Sequence, residues 1–321
     1  MNEFLKENNP SSSNKNGDEI NLHEVYDFLS NNIKTIFFIT LVFSILSVIY
    51  SLSLPNIYKS ESILASSSIT SNSNGLAQQY SSIASLAGIN IPDSSSSAKI
   101  DASIEVIKSL DFFQRFIKKH NLLLEIYAVE GWDDENNELI VNPDYYDVKK
   151  NEWVYDGKFS VDGVPSIQSA HEKFHNDFKV QKDINSGFVY ISFEHYSPYV
   201  AKKILDLIIE EINLKTKEED LDVANKLTEY LQKELEKTQI KDIRLLLSNL
   251  MEKQLETIAL ANAKTSYLYK VLSNPIAPER KEKPQRSVIV VFSSFLGLLL
   301  GLAYSLIVNS SFFRDKRPQN L

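Results

Sequence analysis

The stretch Ser287–Val308 reads SVIVVFSSFLGLLLGLAYSLIV, the stretch Ile36–Leu54 reads IFFITLVFSILSVIYSLSL, and neither contains a charged side chain. At about 1.5 Å of rise per residue, helices of this length cross a hydrocarbon layer of roughly 30 Å, a length that core helices of soluble domains seldom need. The first run follows a long, mostly polar or acidic segment and precedes no small-residue cleavage site, so it reads as a retained anchor and not as a signal peptide. Two spans put both chain ends on one side of a bilayer and the intervening loop on the other. The organisation that follows is an N-terminal segment 1–32, a span 33–54, a large domain 55–286, a second span 287–308 and a tail 309–321.

The remaining composition narrows the class. The chain has 321 residues of which 43% are apolar, enough for a packed core and too many for a disordered chain. Its formal charge is −8, so no concentrated basic surface for nucleic acid is expected. There is no cysteine, which removes disulfides, thiolate zinc sites and cysteine nucleophiles. Charge does not fix which side the loop occupies. Lys34, Arg314, Lys316 and Arg317 flank the terminal sides of the spans, while Arg280, Lys281, Lys283 and Arg286 crowd the loop side, and the positive-inside rule nearly cancels.

Within the loop, Tyr58–Leu64 has the length and bounds of a strand, and Ser66–Ser97 is serine-rich with an expected mobile segment. From Asp101, read as an N-cap, the residues Ile104, Ile107, Leu110, Phe113 and Ile117 recur at helical spacing. Phe178–Lys182 and Phe188–Glu194 form a hairpin around Asn185, Ser186 and Gly187, with Val189, Ile191 and Phe193 on one face. Ser197 and Pro198 then start a helix through Val200, Ile204, Leu207, Ile208 and Ile212. Glu218 to about Lys264 holds neither glycine nor proline and repeats Leu221, Ala224, Leu227, Leu231 and Leu235, then Ile243, Leu246 and Leu250. A helical stripe this long either folds back on itself or packs against other copies. Tyr267–Leu272 reads as a strand returning to the sheet, and Pro275, Pro278 and Pro284 make a stiff connector into the second span.

Three patterns bear on chemistry. His171-Glu172-Lys173-Phe174-His175 fits HExxH, whose histidines four apart share a helical face and suit zinc, with His195 or Glu194 as candidate third ligand. The extended metzincin pattern is missing after it, and Ile167, Ala170, Phe174 and Phe178 make an apolar stripe, so the structural reading is preferred and no metal or catalytic residue is assigned. Asp133, Asp134 and Glu135 are adjacent and set no glycosidase separation; they read as a solvated loop. Gly297 and Gly301 stand at GxxxG spacing in the second span, where another backbone can approach closely, an assembly contact or the ordinary glycine content of a membrane helix.

The succession of these elements resembles the Wzz-like chain-length determinants, or polysaccharide co-polymerases, of bacterial envelopes. The residues that carry the resemblance are a first span ending near Pro55, ASIEVIKSL at Ala102–Leu110, WDDEN at Trp132–Asn136, YISFEHYSPYVA at Tyr190–Ala201 and the proline-rich Asn274–Pro284. The charged run Glu279–Lys283 stands where the family often has further prolines. The resemblance implies an α+β fold: a membrane-proximal α/β base with a long projecting helix, flanked by two transmembrane helices. It also implies an inner-membrane protein with both termini cytoplasmic and the central domain periplasmic, forming a homo-oligomer around an axis. Such an assembly works with a membrane polymerase on a growing lipid-linked glycan and sets the modal length of an O-antigen-like lipopolysaccharide without being an enzyme. No cofactor is implied. No GxxxxGK[ST] loop occurs, so a fused tyrosine-kinase domain is not expected. Pro275, Pro278, Pro284, Gly297 and Gly301 are the candidate assembly or polymerase contacts. The alternatives are a two-span export scaffold and, behind it, a membrane-anchored zinc protease using residues 171–175.

Overall fold

The computed structural model describes residues 22–67, 96–264 and 266–308. Most of the serine-rich stretch, with its expected mobile segment, lies outside the described residues. In chain order the elements are α1 (Leu22–Ser53), β1 (Tyr58–Ser66), α2 (Ser96–Lys108), α3 (Leu110–His120), α4 (Leu123–Tyr127), β2 (Val129–Asp133), β3 (Glu138–Val141), β4 (Tyr146–Asp147) and β5 (Glu152–Trp153). They continue with α5 (Ile167–Asp177), β6 (Phe178–Lys182), β7 (Val189–His195), α6 (Pro198–Lys237), α7 (Lys241–Ala263), β8 (Tyr269–Ser273) and α8 (Arg286–Val308). The protein is therefore α+β, with an apolar helix toward each end of the chain. It divides into two compact units, Met1–Leu54 with Gln285–Leu321, and Pro55–Pro284.

In the first unit, Leu29–Ser53 and Arg286–Val308 are each long and apolar enough to cross a bilayer. Their outward residues, Phe37, Phe38, Leu46, Phe292 and Phe295 among them, are exposed, as a lipid-facing surface requires.

The second unit is built on an antiparallel sheet in the order β6-β7-β1-β8. Register places Leu64 opposite Val189, Ser62 opposite Ile191 and Ser60 opposite Phe193, so these residues share one face. The helices close over that face. Phe113 and Phe174 lie 5.1 Å apart between ring centroids, and Phe174 lies 5.6 Å from Phe193. Ile107, Phe116, Ile204 and Ile208 complete a continuous core with them. Each such side chain contributes about 1.5–3 kcal/mol on burial. The turn between β6 and β7 needs Gly187 at φ 71°, while the Asp183 carboxylate accepts from the Asn185 N–H and the Ser186 hydroxyl.

Three expectations are corrected. Asp101 is not an N-cap: it lies within α2, and its carboxylate pairs with Lys182 at 2.6 Å. The stripe through Ile104 and Ile117 is two helices, because Ser109 is extended, its hydroxyl accepts the Phe112 N–H, and this cap starts α3. Of the two arrangements expected for the stretch from Glu218 to Lys264, the structure takes the fold-back. α6 runs unbroken from Pro198 to Lys237, Thr238 and Ile240 are extended, and α7 packs back along α6. No glycine or proline marks the break. Two β-branched residues of modest helix propensity stand there, and burial of Ala224, Leu231 and Ala261 rewards the fold-back. The returning strand begins at Tyr269, two residues later than expected.

Candidate functional site

The two apolar helices meet through a seam of small residues. A side chain at Gly297 would stand 2.8 Å from Phe43 Cβ and 3.2 Å from Thr40 Cα, and one at Gly301 would stand 3.2 Å from the Ile36 backbone. Ser44 and Ser294 share a 2.7 Å hydrogen bond between hydroxyls, and the Arg286 Nε donates to the Ser51 carbonyl at 3.2 Å. Chain order along the seam is reversed, so the helices are antiparallel. The backbone that approaches the glycines is the chain's own first span. Absent side chains allow that approach, and the two hydroxyls satisfy one another where lipid offers no partner.

The connector between β8 and the end of the second unit is tied to β1. Ser60 and Ser62 lie on the buried face of β1, and their hydroxyls donate to the Ile276 carbonyl at 2.8 Å and the Ser273 carbonyl at 2.7 Å. Pro275, between those carbonyls, is buried, while Pro278 and Pro284 are partly exposed. At its far end the Ile57 N–H donates to the Lys283 carbonyl at 2.9 Å, and the Glu282 N–H donates to the Ile57 carbonyl at 2.8 Å. Lys283 also pairs with Glu194 at 2.5 Å. The sequence reading missed the serines. Their signal was present as two hydroxyls at i and i+2, in phase with Leu64.

Beyond the sheet, α6 and α7 present an uncovered apolar surface. Val223, Tyr230, Ile240, Leu245, Leu246 and Leu255 are exposed, Leu245 at 63% and Val223 at 61%. The fold-back buries only a narrow strip of alanine and leucine. Of the repeated stripe, Leu227, Ile243, Leu246 and Leu250 remain exposed.

The HExxH helix is α5; its first histidine has a structural partner and its second, His175, is exposed. His171 Nε2 lies 2.9 Å from the Lys108 carbonyl, so this nitrogen carries the proton, and its ring packs on Phe113. The Lys173 ammonium donates to the Tyr127 carbonyl at 2.8 Å, and burial pulls its pKa down. His195 is buried, accepts the Ser197 N–H on Nδ1 at 3.0 Å and donates from Nε2 to the Glu125 carbonyl at 2.8 Å. Burial lowers its pKa to about 4, so the ring is neutral. Both its nitrogens are engaged, and Glu194 is held by Lys283. Asp133 belongs to a turn: its carboxylate accepts the Glu135 N–H and the Asn136 amide, which hold its pKa below the usual range.

A groove of about 530 Å³ runs beside α6, lined by Asp206, Glu210, Asn213, Lys217, Tyr267 and Pro275 among others. Much of its polarity is already used. Asn213 Oδ1 accepts the Leu268 and Tyr269 N–H groups at 2.8 and 2.7 Å, its Nδ2 donates to the Ile209 and Tyr269 carbonyls, and Tyr267 donates to Asp220 at 2.6 Å.

Residues 18–120 match the family model described as "Wzz: Chain length determinant protein", in agreement with the family resemblance read from the sequence. Among solved structures, a full-length bacterial polysaccharide co-polymerase aligns at 12% identity over 92% of this chain and 100% of that one, with a TM-score of 0.44. A fragment of WzzB, a polysaccharide co-polymerase from Salmonella Typhimurium, aligns at 15% identity over 71% of this chain and 100% of that one, with a TM-score of 0.28. No curated protein matches the chain.

Proposed function

We propose that the chain sets the modal length of a bacterial surface polysaccharide without itself making or breaking a bond, as the match of residues 18–120 to the chain length determinant family model supports. The family match carries this reading. The uncovered apolar surface of α6 and α7 supports the assembly part of it, because an exposed stripe of leucine, isoleucine, valine and tyrosine is stable in water only when another surface covers it.

In this reading α1 and α8 cross the inner membrane, the termini are cytoplasmic, and the unit Pro55–Pro284 stands in the periplasm. Copies associate around an axis through their long helices. The spans and the connector at Pro275, Pro278 and Pro284 meet the polymerase that extends a lipid-linked, O-antigen-like glycan. The glycine seam holds the two spans of each copy together.

The test is the size ladder of surface glycan in cells with and without this gene, the polymerase being present in both. Length control turns a clustered ladder into a smooth decay when the gene is removed, at similar total glycan. A fall in total surface glycan with unchanged distribution would mark an export scaffold instead.

A further inference from the structure

One aromatic row in the second unit is explained neither by its core nor by glycan length control. Tyr58 and Trp132 meet edge to face with ring centroids 5.5 Å apart, and Trp132 meets Tyr199 at 6.0 Å and 69°. The row is not sealed inside the domain: Tyr58 and Trp132 are partly exposed, and Tyr199 is 56% exposed. The indole N–H already donates to Asn137 at 3.0 Å. The row thus combines open apolar ring surface with a satisfied polar edge, the property that concentrates tryptophan and tyrosine where lipid headgroups meet acyl chains.

Chain length says where that row can go. Ile57 is bonded through both backbone groups to Glu282 and Lys283, so both ends of the unit converge there. Ile57 lies three Cα steps from Leu54, and Lys283 lies three from Arg286, the first residue of α8. Three residues of extended chain reach at most about 10 Å. If α1 and α8 cross a bilayer, Ile57 is held close to its surface by two short tethers, and Tyr58 is the next residue. The headgroup layer is itself roughly 5–7 Å deep on each side.

We propose that Tyr58, Trp132 and Tyr199 form a lipid-contact surface that seats the domain in the headgroup region of the bilayer. Charge on the segment that carries Trp132 is not the driver. Residues 129–164, which include Trp132, hold ten carboxylates against three lysines, so an anionic surface repels this segment. The fitting partner is therefore the neutral headgroup and upper acyl region, engaged by ring surface.

The inference rests on the reading that both apolar helices cross a membrane. The chain has two tryptophans, so Trp153→Phe leaves Trp132 as the single fluorophore and Trp132→Phe leaves Trp153. Each full-length variant is reconstituted into phosphatidylcholine vesicles, with nitroxide lipids labelled at the headgroup, at the upper acyl chain or near its end. Trp132 is expected to be quenched roughly twofold more by the two shallow labels than by the deep one, and to be shielded from acrylamide relative to Trp153. The same quenching is expected in about 0.5 M salt, because a contact made by ring surface is not screened. Chain that carbonate strips from the vesicles would remove the membrane reading and this proposal with it. Chain retained after carbonate, with Trp132 open to acrylamide and untouched by every nitroxide lipid, would overturn the proposal alone, as would quenching that salt abolishes.

Discussion

Asn213 and Asp177 show how single side chains set the stability of the second unit. The Asn213 amide makes four hydrogen bonds, one to the Ile209 carbonyl within α6 and three that join α6 to the start of β8, two of these to the backbone N–H groups of Leu268 and Tyr269. Asn213→Ala leaves those partners without the amide and is expected to cost about 2–3 kcal/mol, seen as a melting temperature several degrees lower for the full chain in detergent. Asp177 acts through pH. Burial raises its pKa to about 6 against Lys173, which pulls the other way, so the folded chain binds a proton that the unfolded chain releases near 3.8. That stability is fully present below 3.8 and is lost as pH rises through 6. His195 has the opposite sign: with its pKa lowered to about 4, its contribution is lost as pH falls from 6.5. The two nearly offset between pH 4 and 6. Asp177→Asn is therefore expected to stabilise the chain by about 1 kcal/mol at pH 7 after solvent screening, and to lose that advantage toward pH 4. Melting curves across this range check it; a difference from wild type that does not change with pH would contradict the assignment.

At the scale of elements, the seam between α1 and α8 depends on missing side chains. Leucine at Gly297 and Gly301 would overlap Phe43, Thr40 and the Ile36 backbone, so the helices must separate. The absence of cysteine makes this easy to measure. Ser44 and Ser294, whose hydroxyls are 2.7 Å apart, are replaced by cysteine, and oxidation is expected to join the spans within one chain. The Gly297→Leu, Gly301→Leu pair should reduce that cross-link by roughly tenfold, about 1.4 kcal/mol of helix association. An undiminished cross-link would mean the glycines are incidental. The hairpin of α6 and α7 uses the same device in water, with Ala224 and Ala261 buried where the helices meet.

For the whole molecule, the relevant surface is the one left open. Val223→Glu together with Leu245→Glu puts two carboxylates on the exposed face of α6 and α7 while leaving the core and the seam untouched. Such changes at an interface cost about 2 kcal/mol each when buried against a partner and little in a free chain. Native mass spectrometry of the detergent-extracted protein is expected to show smaller assemblies at unchanged melting temperature, and the glycan ladder of cells carrying the variant should broaden. Unchanged assemblies would place the contacts between copies elsewhere.

The sequence alone determined the two spans, because about 20 uncharged apolar residues in a row have few other uses. It also determined the β6–β7 hairpin, written in alternation and a glycine turn, and the helix start at Ser197 and Pro198, where a cap side chain and a fixed φ act locally. Tertiary structure decided what those signals leave open. The break at Thr238–Ile240 carries no breaker residue and depends on α7 packing against α6. Ser109 ends one helix and caps the next, though the apolar stripe runs through it. The structural roles of His171 and His195 rest on carbonyls 63 and 70 residues away in the chain, Lys108 and Glu125. Of the candidate contacts, GxxxG was legible as spacing, but its partner was not. Spacing records only which face of a helix is bare, whereas the helix that fills it is chosen by packing across more than 250 residues of chain.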